Sequence, residues 1–415
     1  IPCNNSLLLI PMKLAFFLIA WFAAWSGMGQ DYTTFQKHLS SLHELSTISD
    51  SAQKALKYKV LLKRLIAEEQ IPLRVKDSVA FFYYGKATSV EWMGDFNGWG
   101  YKADFDNRGQ QVPGTDLWIL KASFPTDARL DYKIVVDKKK WILDPYNPYQ
   151  QWSGVGGGSP NSELRMPDYQ YDPVHMVREN IPKGKVIQDI LYNSKLLSYQ
   201  ITYSVYLPPA AIEGKYPVVY ITDGYEYLHP QLGNLPTVLD NLIADNKIVP
   251  VIAVFIDHRE PANRTNNRRM TELVMNPLYL QFFVEEFIPF IENSYPIIKE
   301  AKSRAILGAS VGGLNATYFA FSRPDIFGNV GIQSPSFWTR PQIYSLCDSP
   351  DGSNIKISMT SGLINDTSDS GKKMIGILEN NSCTYRYREV NEGHSWGNWK
   401  NLEDDILIDF FAPKQ

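Results

Sequence analysis

Gly308-Ala309-Ser310-Val311-Gly312-Gly313 lies between the apolar run Ala305-Ile306-Leu307 and the helix-like segment Leu314–Phe321. It is a G-x-S-x-G segment in the context its chemistry requires, a buried strand turning sharply into a helix. Small residues two before and two after the serine let the chains approach, and the turn projects Oγ beyond the sheet edge. The N–H groups that open the following helix point at the same place. A serine so placed attacks a carbonyl carbon once a base takes its proton. The chain has six histidines, His38, His43, His175, His229, His258 and His394, and only His394 follows Ser310. On such a sheet the triad runs serine, acid, histidine, so His394 is the expected base. It sits in Asn391-Glu392-Gly393-His394-Ser395-Trp396, directly after the strand-like Cys383–Val390.

An acid must hold the imidazole in one tautomer and stabilise the imidazolium. Ile355–Thr360 reads as a buried strand, and the polar loop after it carries Asp366 and Asp369. Asp366 is the first choice and Asp369 the second. Glu392 is third, being only two residues from the histidine. Either aspartate would alternatively cap the helix that begins near Ser370. The oxyanion formed on attack needs two backbone N–H groups, one just after the nucleophile and one from an earlier strand–loop junction. Val311 supplies the first, and Gly224 or Tyr225, leaving the strong strand Pro217–Thr222, the second. Asp223 at that junction reads as a turn-former. No step needs a metal or an organic cofactor.

The elements that must position these residues occupy a chain of 415 residues, long enough for two or three domains. Hydrophobic content of 44% with 20% charged residues is that of a globular protein. A formal net charge of −3 without a basic block speaks against a nucleic-acid partner, Lys138-Lys139-Lys140 reading as an exposed hairpin tip. Met12-Lys13, the apolar run Leu14–Trp25 and the small residues Gly27-Met28-Gly29 read as an export signal, too short for a permanent span. The mature chain is therefore expected to be secreted or periplasmic, with no stable membrane insertion. Cys347 and Cys383 would then meet an oxidising compartment, where a disulfide between them is an open alternative.

The expected organisation is residues 1–29 as upstream sequence and signal, 30–76 as a helical lead-in, 77–170 as a β-sandwich and 171–415 as an α/β domain. In the lead-in, Phe35, Leu39, Leu42 and Leu45 form one apolar stripe, and Ala55, Leu56, Leu62, Leu65 and Ile66 another. Short runs at Val79–Tyr84, Ser89–Met93, Leu117–Ser123, Leu130–Val136 and Trp141–Leu143, spaced by turn residues, mark the sandwich. Gly154–Gly158 neither follows a strand nor opens a helix, so it is a boundary loop and no dinucleotide fingerprint. Trp92-Met93-Gly94-Asp95-Phe96-Asn97-Gly98-Trp99, with Asp131-Tyr132-Lys133 and Asp144-Pro145-Tyr146-Asn147, resembles the immunoglobulin-like early-set module that precedes glycogen-branching and isoamylase-type enzymes, the family 48 carbohydrate-binding class. That resemblance makes Trp99, Trp118 and Trp141 candidates for stacking on sugar rings, with packing in the sandwich core as the alternative.

From about Val174 to Phe411, strand-like runs alternate with helical segments at about Thr237–Asn246, Pro277–Tyr295 and Val311–Ser322, an α/β pattern. Tyr220-Ile221-Thr222-Asp223-Gly224, Arg269-Met270-Thr271-Glu272-Leu273, Gly308–Gly313, Ser334-Pro335-Ser336-Phe337-Trp338 and Gly393-His394-Ser395-Trp396 occur in the order of one family. Together they resemble the esterases that include ferric enterobactin esterases, feruloyl esterases and esterase D. The resemblance implies an α/β-hydrolase domain and a serine carboxyl-ester hydrolase with Ser310 as nucleophile and His394 as base. It implies a structural ion pair for Arg269 and Glu272. It places the family's acid at Asn365, with Asp366 next. The first substrate expectation is a feruloyl or acetyl ester on plant polysaccharide such as arabinoxylan. A siderophore trilactone is the alternative, and a non-catalytic glycan-binding protein on an esterase scaffold a further one.

Overall fold

The computed structural model describes residue 37 and residues 40–413, apart from 69–70, 103, 155–159, 210–213 and 350–353. The expected export segment, Phe35, Leu39 and the loop residues 155–158 lie outside the described residues. Asp50 starts the first long helix, Ser51–Ala67, by accepting the Gln53 N–H at 2.7 Å. Its buried face is Lys54, Tyr58, Leu61, Leu62 and Leu65, whereas Leu56 and Ile66 of the expected stripe are exposed. The stripe is displaced because Tyr58 turns inward and donates its hydroxyl to the Leu42 carbonyl, at 2.9 Å.

That helix covers the outer face of a four-stranded antiparallel sheet, Leu73–Val75, Ser78–Tyr84, Leu117–Ser123 and Gln110–Gln111. Period-two alternation sends Ala80 and Phe82 toward the helix and Val79 and Phe81 toward a second sheet. The second sheet joins Val90–Gly94, Arg129–Val136, Asn161–Arg165 and Gln150–Gln151, with Lys140–Ile142 paired on Arg129–Val136. Phe81, Trp92, Phe96, Phe124 and Tyr132 pack between the sheets. Lys138 and Lys139 lie in an exposed turn and Lys140, also exposed, opens the strand after it.

The α/β domain is built on eight strands: β1 Lys185–Asn193, β2 Gln200–Leu207, β3 Val218–Ile221, β4 Ile252–Asp257, β5 Arg304–Ala309, β6 Asn329–Gln333, β7 Lys356–Gly362 and β8 Thr384–Val390. Their spatial order is β1-β2-β4-β3-β5-β6-β7-β8, with β1, β2 and β4 antiparallel in succession and every other pair parallel. β3 and β5 are buried at every residue, as in a parallel sheet covered on both faces. One covering layer contains Phe282, Phe283, Phe287, Leu314 and Phe319, the other Leu235, Leu239, Leu242, Ile406 and Leu407. The helical run from Pro277 to Ser294 contains a π-helical segment at Phe283–Phe287. Pro289 explains it, because a proline inside a helix has no N–H to give and its ring crowds the carbonyl four residues back. Among the described residues no helix is long and apolar enough to cross a membrane. Cys347 and Cys383 are both buried free thiols.

Candidate active site

β5, β6, β7 and β8 are parallel neighbours whose C-terminal ends are in register, Ala309 opposite Gln333, Gln333 opposite Thr360, and Gly362 opposite Val390. The loops that leave them bring Ser310, Ser334, Asp366 and His394 to one edge of the sheet, where an α/β fold gathers its site residues.

Ser310 sits between β5 and the helix Val311–Ser322 at φ 58° and ψ −119°. A non-glycine residue in such a region carries strain of about 1–3 kcal/mol, which the surroundings must hold in place. They do so through the Ser310 N–H, given to the Gln333 carbonyl at 2.8 Å, and through the Ser310 carbonyl, which accepts from Ser336 N–H at 3.0 Å. Gly308 is needed for close approach: a Cβ there would stand 2.3 Å from Thr222 Oγ1 and 2.4 Å from the Gly312 carbonyl carbon.

Ser310 Oγ is 2.9 Å from His394 Nε2, and His394 Nδ1 is 2.6 Å from Asp366 Oδ1. The Asp366 side chain is wholly buried, and its Oδ2 accepts from Ser334 Oγ–H and Gly362 N–H, each at 2.6 Å. Asp369 instead lies exposed in the first turn of the helix Ser368–Asn380, so the chosen and the second acid are separated by geometry. Asn365 turns away, donating its amide to the Asp95 carbonyl of the sandwich at 2.7 Å. The arrangement can move a proton from Ser310 Oγ to an imidazole whose far nitrogen faces a carboxylate, the requirement for acyl transfer.

β3 lies beside β5, and the Thr222 N–H donates to the Leu307 carbonyl at 3.1 Å. The turns after the two strands are therefore neighbours. Val311 begins one helix there, and Gly224 and Tyr225 begin the short helix Gly224–Tyr227. Asp223 adopts a left-handed turn, φ 54°, as a turn-former should. It is also the partner of Arg269, whose Nε is 2.7 Å from Asp223 Oδ1 and whose guanidinium reaches the Ala309 carbonyl at 3.2 Å. This corrects the expectation for Arg269 and Glu272. They do not pair with each other, because Glu272 is occupied by His258 Nδ1 at 2.5 Å, Arg268 at 2.9 Å and the Tyr199 hydroxyl at 2.7 Å. The Tyr225 ring carries the Arg259 guanidinium at 3.9 Å, and burial pushes its phenol above the ordinary value.

The sequence offered Ser334 and Ser336 only as part of a family segment and gave no role to Ser336, whose Oγ is 3.0 Å from Ser310 Oγ, nor to Ser334 and Asn398 beside Asp366. The signal was present: Ser334-Pro335-Ser336 follows directly on the strand next to the nucleophile strand. Trp338, 60% exposed, lies with its ring centroid 6.4 Å from that of His394, and buried Trp399 packs edge-on to the same imidazole at 5.0 Å. The three tryptophans of the sandwich behave differently. Trp118 is 7% exposed within the sandwich core, which corrects its assignment as a sugar platform. Trp99 is half-buried and donates its indole N–H to Asp95 at 3.1 Å, while Trp141 is 49% exposed on a separate strand. Among the described residues no group of three His, Cys, Asp or Glu side chains is arranged to hold a metal ion.

Glu392, two residues before His394, is buried against the sandwich with Arg129, Glu163, Asp131 and Asp95 around it. Burial pushes its carboxyl up to about 8, the surrounding carboxylates adding to the rise and Arg129 opposing it. Burial, with Asp131, likewise lifts Asp95 to about 7. A carboxyl raised in the folded state holds a proton that the unfolded chain has already lost. Its contribution to stability is therefore complete below the ordinary carboxylate range and disappears as pH rises to about 8. Relative to Glu392→Gln, the unfolding midpoint of the unaltered protein is expected to drop by at least about 2 °C between pH 5 and pH 8. Calorimetric melts of both proteins at the two pH values check this, and parallel midpoints would remove Glu392 as the source.

The sequence profile of the Esterase family matches residues 194–410, just over half of the chain. Iron(III) enterobactin esterase of Escherichia coli O6:H1 is 27% identical over 252 residues, 55% of this chain and 60% of that protein. Endo-1,4-beta-xylanase/feruloyl esterase of Xylanibacter ruminicola is 30% identical over 168 residues, 38% of this chain and 22% of that protein. The chain thus spans less than two thirds of either relative. The crystal structure of an enterobactin esterase from Shigella flexneri shares the fold, with a TM-score of 0.65 at 21% identity, covering 80% of this chain and 92% of that one. Coverage of that extent exceeds what the α/β domain can supply alone, so the shared fold includes the preceding β-sandwich. The chain belongs to the Esterase family and is a carboxylic-ester hydrolase.

Proposed function

We propose that Ser310 is the nucleophile of this esterase, His394 its general base and Asp366 the acid that orients His394. The hydrogen-bonded line Asp366–His394–Ser310, at 2.6 and 2.9 Å, is the observation that carries this assignment. His394 takes the Ser310 proton as Oγ bonds to the ester carbonyl carbon. The N–H of Val311, with that of Gly224 or Tyr225, holds the oxyanion. The tetrahedral intermediate expels the alcohol, which leaves with the proton from His394. Water, deprotonated by the same imidazole, then releases the acid and restores Ser310.

For the substrate we propose an enterobactin-type siderophore trilactone in preference to a feruloyl or acetyl ester of plant polysaccharide. Support comes from the likeness to enterobactin esterases, which runs through both the β-sandwich and the α/β domain. Burial of Trp118 also weakens the glycan-binding surface on which the polysaccharide reading leaned. The feruloyl reading retains its own support in the 30% identity to the Xylanibacter ruminicola protein, and the export expected from the N-terminal sequence would favour it. Ferric enterobactin, methyl ferulate and feruloylated arabinoxylan, offered in parallel to the protein and to Ser310→Ala, separate the two. We expect Ser310-dependent opening of the trilactone with kcat/KM at least about tenfold above that for methyl ferulate, a difference of about 1.4 kcal/mol in transition-state binding. The reverse ranking would transfer the assignment to plant esters.

A further inference from the structure

The β-sandwich meets the α/β domain at the loop that carries His394. Arg129, the first residue of the strand Arg129–Val136, is 0% exposed and lies at the centre of that contact. Its N–H donates to the Asn391 carbonyl at 3.2 Å, and Arg129 and Glu392 form a parallel β-bridge. The sandwich strand thereby continues into the histidine loop as backbone. The guanidinium Nη1 donates to Ser395 Oγ at 3.2 Å and stands 3.7 Å from the Glu392 carboxyl oxygen Oε2. One side chain thus holds the residue two before His394 and the residue directly after it.

The guanidinium is itself fixed from behind. Nη2 reaches Asp131 at 2.5 Å and Nε reaches Glu163 at 2.9 Å, while Asn161 and Arg165 hold those two carboxylates in turn. Gly397 has no room for a side chain, since a Cβ there would be 1.8 Å from Arg129 Cζ. A second contact starts at Asp95. A Cβ on Gly393 would fall 2.3 Å from its Cγ, and its carbonyl accepts from Asn365, the neighbour of Asp366. The Asp131 N–H is given to Asp95 Oδ2 at 2.8 Å, which joins the two contacts into one network. The loops of base and acid therefore rest on the same part of the sandwich. Its Gly94-Asp95-Phe96-Asn97 turn is spent on this contact, with Asp95 and Asn97 buried.

We infer that Arg129 is a positioning residue for His394, and that the β-sandwich completes the active site by fixing the loops of the base and the acid. The inference rests on the assignment of Ser310, His394 and Asp366 above. A planar fork that hydrogen-bonds three side chains at once, with Glu392 beside it, is not replaced by an ammonium point charge. In the full chain, Arg129→Lys is expected to lower kcat for a short-chain aryl ester about 10–100-fold with KM changed less than about threefold, as misplacement of a reacting group does. Fluorophosphonate labelling of Ser310 is expected to slow in parallel.

Ser395→Ala removes one of the guanidinium's contacts without leaving a buried charge, and is expected to lower kcat about fivefold. The double variant is expected to be no slower than Arg129→Lys alone, because coupled positions are not additive. A folded Arg129→Lys within about twofold of the unaltered enzyme, or additive losses in the double variant, would overturn the inference. Should Arg129→Lys not fold, Ser395→Ala decides, and a kcat within about twofold overturns it. An unaltered protein that the fluorophosphonate does not label would instead defeat the underlying catalytic assignment.

Discussion

Ser310→Ala is expected to reduce kcat toward a short-chain aryl ester by about 10⁶-fold while leaving the protein folded. The loss is large because Oγ forms the covalent bond to the acyl group, while His394 and Asp366 serve that attack as base and orienting acid. The residue left would be the rate given by the oxyanion donors and substrate binding alone, about 10³–10⁴ above water. Folding should not suffer. Alanine tolerates the φ of 58° no worse than serine, and the N–H and carbonyl of residue 310 keep their bonds to Gln333 and Ser336. Only the side-chain contacts to His394 Nε2 and Ser336 Oγ disappear. Burst-phase kinetics, fluorophosphonate labelling and a thermal melt of the same sample check the three parts. A residual rate above about 1% would point to Ser336, whose Oγ is 3.0 Å from that of Ser310, and Ser310→Ala/Ser336→Ala would then have to abolish it.

Ser310 and His394 were legible because their signals are local or exclusive. The strand–turn–helix around Ser310 is contiguous in sequence, and elimination among six histidines requires no structure. The choice between Asp366 and Asp369 was not settled locally. It depends on the path of a loop in which Asn365 takes a positive φ and the Gly362 N–H reaches Asp366, neither of which has a periodic signature. Trp118 was left open between sugar platform and core packing for a different reason. Its sheet is covered on one face by the second sheet and on the other by the helix Ser51–Ala67, so exposure cannot be inferred from strand alternation alone. The family resemblance implied an ion pair for Arg269 and Glu272, yet the partner of Arg269 lies 46 residues away. The contact of Arg129 with Ser395 spans 266 positions. A buried cation of that kind is visible in the sequence only as an ordinary strand-edge arginine.

Asp366→Asn is expected to cost about 10⁴-fold in kcat, with the fold retained, and the reason lies in how the two carboxylate oxygens are used. Oδ2 faces only donors, Ser334 Oγ–H and Gly362 N–H, each at 2.6 Å, so an asparagine must place its single oxygen there. Its NH₂ then faces His394 Nδ1, at the place where Oδ1 stands 2.6 Å away. Nδ1 becomes an acceptor, the ring proton moves to Nε2, and the nitrogen 2.9 Å from Ser310 Oγ can no longer take a proton. The loss should appear in kcat and in the labelling rate of Ser310, with KM nearly constant, because the site keeps its shape. Asp369→Asn, exposed in the next helical turn, should leave both unchanged. If Asp366→Asn retained more than about a tenth of the rate, the carboxylate would not be orienting the imidazole during turnover. A loss confined to Asp369→Asn would mean that the 362–369 loop rearranges when substrate binds, bringing the second aspartate to the histidine.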